Sequence, residues 1–316
     1  MSTVSNENSV PRSTTPVSRS RPFYWSVKRE LWENRALYIA PLTVSGLILF
    51  GFVLSLVGLA ERARSFSALP PAKQAAQIAQ PYDIAAVAII VTAFIVGFFY
   101  CLGALYGERR DRTILFWKSL PVSDSTTVLS KMSIPLVVLP LITFVVVVVL
   151  QVLMLLLNSA GRLVDGLSLA PLWTQLPLFE MQAVLGYGLV TLSLWNAPIF
   201  AWLLMVSAWA RRTPILWAIL PPLAVSLVEK IAFGTNYFGA LIAHRLVGGY
   251  EAGFSGPESV VKAHGAARLS GGIPSAGLAQ VDPIKFLTSP SVWIGLGLAA
   301  AFLAAAVWLR RYREPI

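Results

Sequence analysis

Six apolar runs, each long enough to cross a bilayer as a helix, dominate this chain and leave little room for any other fold. They lie near residues 37–59, 84–106, 133–157, 181–209, 214–234 and 291–309. The third contains VVVVVLQVLMLLL, which has no alternation of apolar and polar residues, so it cannot be a strand of a lipid-facing barrel. With every backbone polar group needing an internal partner in hydrocarbon, these runs are helices. Composition agrees: 56% of the 316 residues are hydrophobic and 13% are charged, about half the charged fraction of a soluble domain. The expected fold class is an all-α integral membrane protein with six transmembrane helices.

Lys and Arg set the orientation. Sixteen fall on the side that holds the N-terminal tail, the loop between spans two and three, the short ARRTP loop and the C-terminus, against nine on the other side. The positive-inside rule then places both termini and the 107–131 loop in the cytoplasm, and the 235–289 segment outside. The net charge of +10 is accounted for by these membrane-edge clusters, and there is no polar domain to carry a nucleic-acid face. Residues 1–21 are rich in Ser, Thr, Asn and Pro without an apolar core, so they read as a disordered cytoplasmic tail rather than a signal peptide. Over 22–36, Phe23, Val27 and Leu31 recur at helical spacing among Lys28, Arg29, Glu30, Glu33 and Arg35, the pattern of an interfacial amphipathic helix. An aromatic belt ahead of the first span is the other use open to Tyr24, Trp25 and Trp32.

The single cysteine, Cys101, lies in an apolar run, and His244 and His264 lack neighbours at ligand spacing, so neither an internal disulfide nor a metal site is expected. Deep polar residues are few. Gln151 and Asn196 could line a path or join helices by hydrogen bonds. Glu229 and Lys230, about 24 Å into the fifth span at helical rise, could pair at the outer interface or touch a substrate. No pair of catalytic groups shares a membrane depth, which argues against an intramembrane enzyme.

The stretch YGERRDRTILFWKSLPVSDSTTVLSK, Tyr106 to Lys131, carries the functional signal. Pro121 ends a short apolar helix, and Ser123 or Asp124 can cap a second one leading to the third span. Leu115, Phe116 and Trp117 form an apolar knob, with Glu108, Arg109, Arg112 and Lys118 around it. Such a knob either dips into the head-group layer or fills a partner's groove.

This stretch resembles the coupling loop of the ABC type 2 permease family, and the layout of six spans behind an N-terminal cytoplasmic helix is similar to that family over roughly residues 22–313. The resemblance implies a membrane permease subunit of an ATP-driven exporter, with Glu108 to Leu120 as the coupling helix that docks on a separate ATPase subunit. It implies a dimer with a second copy or a homologous permease, contact with membrane lipids, and location in a cell membrane such as a bacterial inner membrane. ATP and Mg would belong to the partner. The chain itself has no phosphate-binding G-x-x-x-x-G-K-[ST] run, and its Leu-Ser-Gly-Gly at 269–272 falls in the predicted external segment, so no cofactor and no enzymatic activity of its own are expected. A membrane scaffold or signal-transmitting protein using the same loop is the alternative.

Overall fold

The structure, a computed structural model, describes residues 20–58, 70–111, 123–255 and 277–312. Within these the chain is helical, with one isolated antiparallel bridge between Phe254 and Val281 and no strands. Six helices are long and apolar enough to cross a membrane, so this is a multi-pass membrane architecture.

Helix α1 (Ser20–Glu33) precedes α2 (Ala36–Ser55), the first apolar helix. Helix α3 (Pro71–Arg110) is much longer than the apolar run inside it. It starts at a proline, whose fixed φ suits a first helical turn, and PAKQAAQIAQ supplies helix-forming residues before hydrophobicity begins. Apolar length measures the bilayer, whereas helix length also counts the polar turns at either end. The same holds for the third apolar helix. It is built from α4 (Asp124–Ser133), a π-helical turn over Ile134–Val138, and α5 (Leu139–Val164). Pro135 and Pro140 each remove a backbone donor, and the wider turn lets the chain continue past them.

After a short α6 (Ala170–Gln175), α7 (Leu178–Trp209) runs unbroken through Pro198. It is the hub of the bundle: α3 and the last helix, α12 (Pro290–Tyr312), pack along it, and α2 lies against α3 and α5. Of its apolar window, 67% is buried, against 6% for α8 (Pro214–Phe233), so α7 is the interior helix and α8 the peripheral one. The segment between α8 and α12 holds α9 (Tyr237–Val247), α10 (Gly249–Gly253), a 3₁₀ turn at Leu278–Gln280 and α11 (Pro283–Thr288), which leads into α12. Helix α10 sits so close to α7 that a Cβ on Gly253 would meet Thr191 Cγ2 at 2.6 Å, so only glycine fits there without a shift. Arg245 joins α9 to the hub: its guanidinium lies 4.4 Å from the Trp195 ring centroid, and its carbonyl accepts from Trp195 Nε1 at 2.8 Å.

The core divides along the bundle into two main layers. Leu37, Cys101, Leu105, Met132, Leu204 and Ala306 belong to the layer at the end where α1, α4 and the last turn of α12 meet. Phe52, Tyr82, Ile89, Val147, Met154 and Val184 belong to the other.

Candidate functional site

Charges that hydropathy assigns to a membrane edge are, at the α1–α4–α12 end, buried inside the protein. Glu30 is 1% exposed, Lys131 2%, Arg310 4% and Glu108 9%. An ionised group so enclosed is tolerated only when paired and hydrogen-bonded, and each of these is. Lys131 Nζ lies 2.7 Å from Glu30 and 3.1 Å from Glu108. Arg29 Nη2 lies 3.0 Å from Glu30 and 3.4 Å from the same oxygen of Glu108. These four side chains close a ring of alternating charge. The second oxygen of Glu30 accepts from the Tyr100 hydroxyl at 2.9 Å, and the second oxygen of Glu108 pairs with Arg310 Nη1. Arg310 Nε then reaches Asp124 at 2.9 Å. Three carboxylates (Glu30, Glu108, Asp124) meet three cations (Arg29, Lys131, Arg310), and the half-exposed Glu33, 3.4 Å from Arg29 Nε, adds a fourth carboxylate at the rim.

The local sequence explains how each member arrives. Glu108 and Tyr100 are eight residues apart on α3 and so share a face. Ser123 caps α4, accepting from Thr126 N at 3.2 Å, which makes Asp124 the first helical residue, where a carboxylate suits the positive end of the helix dipole. Two turns on, Lys131 projects from the same helix into the ring, three residues ahead of the π-helical turn. Arg310 lies in the last turn of α12, where a cation is favoured for the converse reason.

Beside the ring, α3 is fastened to α7. Arg109 Nη1 donates to the carbonyls of Ala208 at 2.6 Å and Ala210 at 3.2 Å, covering the C-terminal end of α7. Ser207 Oγ donates to Leu102 O at 2.8 Å and accepts from the amides of Leu105 and Tyr106. Glu108 and Arg109, which the sequence groups with the exposed loop, therefore belong to the interior. Arg112, Leu115, Phe116, Trp117 and Lys118 lie outside the described residues, as does the Leu-Ser-Gly-Gly stretch. What the structure does define is how that segment is held: Glu108 and Asp124, on either side of residues 112–122, both bind Arg310.

A second polar cluster lies in the other core layer. Gln151 Nε2 donates to Tyr82 O at 3.1 Å, and its Oε1 accepts from Gln182, so Gln151 links α3, α5 and α7. Arg162 Nη1 donates to Ser168 O at 3.2 Å. Tyr82 of α3 and Gln182 of α7 meet Gln151 only through the packing of separate helices, while Asn158 and Arg162, beside the Tyr82 side chain, follow Gln151 on α5 itself. The one local signal for them is their helical spacing on α3 and α5.

The remaining candidates have local partners. Asn196 donates to Leu192 O, one turn back on its own helix, at 2.9 Å. Glu229 accepts from Thr235 Oγ1 and from the amides of Tyr237 and Phe238 at 2.9, 2.6 and 2.8 Å, and so caps α9. Lys230 is exposed. Among the described residues no group of His, Cys, Asp and Glu could hold a metal ion. Compared with known proteins, the chain matches no family model, no curated protein and no solved structure.

Proposed function

We propose that this chain is the permease subunit of an ATP-driven exporter in a cell membrane, moved by a separate cytoplasmic ATPase that docks on residues 112–122. The observation that carries this reading is the shared anchor of that segment. A push on the knob of Leu115, Phe116 and Trp117 would act on two helix ends, Glu108 of α3 and Asp124 of α4, that both bind Arg310 of the last span. Through the ring the push also reaches α1 and, through Lys131, the π-helical turn at the head of the third span. A turn of that kind is a place where a helix bends without losing its backbone bonds. Glu108 and Arg109 then transmit load rather than touch the partner, while Arg112 and Lys118 are left for the docking rim.

In this reading the α1–α4–α12 end faces the cytoplasm, as the excess of Lys and Arg there supports. Helix α1 lies at the lipid head groups. Its Val27 and Leu31 pack on the bundle, while Trp25 and Trp32 are more than half exposed with Lys28 Nζ 5.0 Å from each ring, an outward face suited to the interface. A second permease copy, ATP and Mg complete the assembly.

The test is purification of the tagged chain from its native cells in mild detergent, with mass spectrometry and an ATPase assay on the eluate. The expected result is a near-stoichiometric soluble protein with a phosphate-binding loop, lost from the L115D/F116D/W117D variant while that variant still inserts. An ATPase retained by the triple variant overturns the docking assignment. Recovery of a non-ATPase partner instead supports the scaffold reading.

A further inference from the structure

A cavity of about 360 Å³ opens where α7, α9, α10, α11 and the head of α12 meet, lined by Trp195, His244, Glu251, Lys285, Ser289 and Ser291. Ser291 and Arg310 share α12 and lie about 29 Å apart along it at helical rise. A hydrocarbon core is about 30 Å thick. The cavity thus stands one hydrocarbon thickness from the ion ring, at the opposite end of the last span, the level at which lipid head groups lie.

Its walls are fastened by contacts outside the cavity itself. Arg245 Nη2 donates to Ser291 O at 2.8 Å while the guanidinium covers the Trp195 ring, so α9 is tied to both α12 and α7. The fit leaves no room for a Cβ on Gly295 beside Arg245 Nη2. On α10, Gly249 is pressed onto α7, where a Cβ would meet Leu192 Cδ2 at 2.8 Å, and this contact holds Glu251 two residues on at the cavity. Lys285 is placed twice: its amide donates to Asp282 Oδ1 at 2.9 Å and its Nζ to Phe254 O at 2.8 Å.

Glu251 and Lys285 line this one cavity with opposite charges, yet neither forms an ion pair with the other or with any described residue. Lys285 Nζ keeps two N–H donors beyond its bond to Phe254 O, and the Glu251 carboxylate accepts from no described residue. This is the reverse of the ion ring, where each carboxylate has a cation in contact. A molecule bearing one charge would meet a like charge across the cavity, whereas one bearing both signs satisfies both walls. The volume lies at the low end for ligand pockets, about 300–1,000 Å³, and suits a small group.

We infer that this cavity binds an ammonium joined to a phosphate, with Glu251 accepting from the ammonium and Lys285 donating to the phosphate. Two sources carry that chemistry, a free phosphoethanolamine-like solute and the head group of an ethanolamine phospholipid. The inference does not rest on the permease reading, because binding here requires no ATPase.

Saturation-transfer NMR on the purified chain tests it, in nanodiscs of phosphatidylglycerol, a lipid without an amine, with O-phosphoethanolamine as the probe. Binding is expected, and ethanolamine and methyl phosphate, each carrying one of the two charges, should bind about 10-fold or more weakly. Glu251→Gln and Lys285→Met should each weaken phosphoethanolamine by about 10-fold or more. E251Q should also lose the preference over methyl phosphate, and K285M the preference over ethanolamine, changes in selectivity that a poorly folded variant would not produce. Dihexanoyl phosphatidylethanolamine separates the sources: tighter binding than the free probe supports the lipid head group, and equal or weaker binding supports a free solute. No binding of either phosphoethanolamine compound, equal binding of all three small probes, or unchanged binding in both variants overturns the inference.

Discussion

The two polar clusters of this protein are of similar depth and opposite character. At one end, six ionised side chains pair with one another, with the half-exposed Glu33 beside Arg29. In the other layer, uncharged amides join the helices, with Gln151 bonded to the Tyr82 carbonyl and to Gln182. A network of paired charges holds its members in one geometry, because moving the enclosed ones uncovers a buried charge. The first therefore suits transmission of force, and the second suits joining three spans.

Breaking the closed cluster should give the largest effect. Glu108→Ala removes a carboxylate that faces Lys131, Arg29 and Arg310, stranding buried cations. A loss of about 3–5 kcal/mol is expected, read as a large fall in the midpoint of thermal unfolding in nanodiscs. A change next to Tyr82 in the other layer, Asp83→Asn, alters a carboxyl whose Oδ1 has no partner to lose among the described residues. It should stay within about 1 kcal/mol of the parent by the same assay, the scale of a single hydrogen bond. Equal losses at the two sites would erase the distinction between the clusters.

A smaller effect concerns the segment between α8 and α12. Asp282 accepts from Lys285 N at 2.9 Å and from Ser255 Oγ at 2.7 Å, and these bonds hold its carboxyl below the usual carboxylate range. A depressed carboxylate contributes stability above its ordinary pKa of about 3.9 and loses it as pH falls through the lowered value. Proteolysis by an acid protease at the 255 and 277 flanks should accordingly rise below about pH 4, and Asp282→Asn should flatten that rise.

Much of the architecture is legible in the residues. Apolar runs locate all six long helices, and Ser123 marks the start of α4 because a cap is a local signal. Helix lengths are not legible, since the first turns of α3 are polar and escape a hydropathy window. The ion ring is hidden for a different reason. Arg29, Lys131 and Arg310 look, one by one, like ordinary membrane-edge cations; Arg29 has Glu30 and Glu33 on its own helix, but only the packing of α1, α3, α4 and α12 brings Glu108 to it and carboxylates to Lys131 and Arg310. Glu30 and Glu108 are the available clue, because acids that recur on the basic side of a membrane protein need cations beside them once they are buried. Gln151 stands out within its span as a deep polar residue. Its companions lie near the ends of apolar runs, where polar side chains are ordinary.

The central claim is that Arg310, on the last span, fixes both ends of the 112–122 segment. Amide hydrogen exchange on Arg310→Met in nanodiscs tests it most directly. The account predicts faster exchange in two separate stretches, 105–111 at the end of α3 and 123–133 in α4, with α8 unchanged. Faster exchange confined to the last turns of α12, with both stretches protected as in the parent, would contradict it.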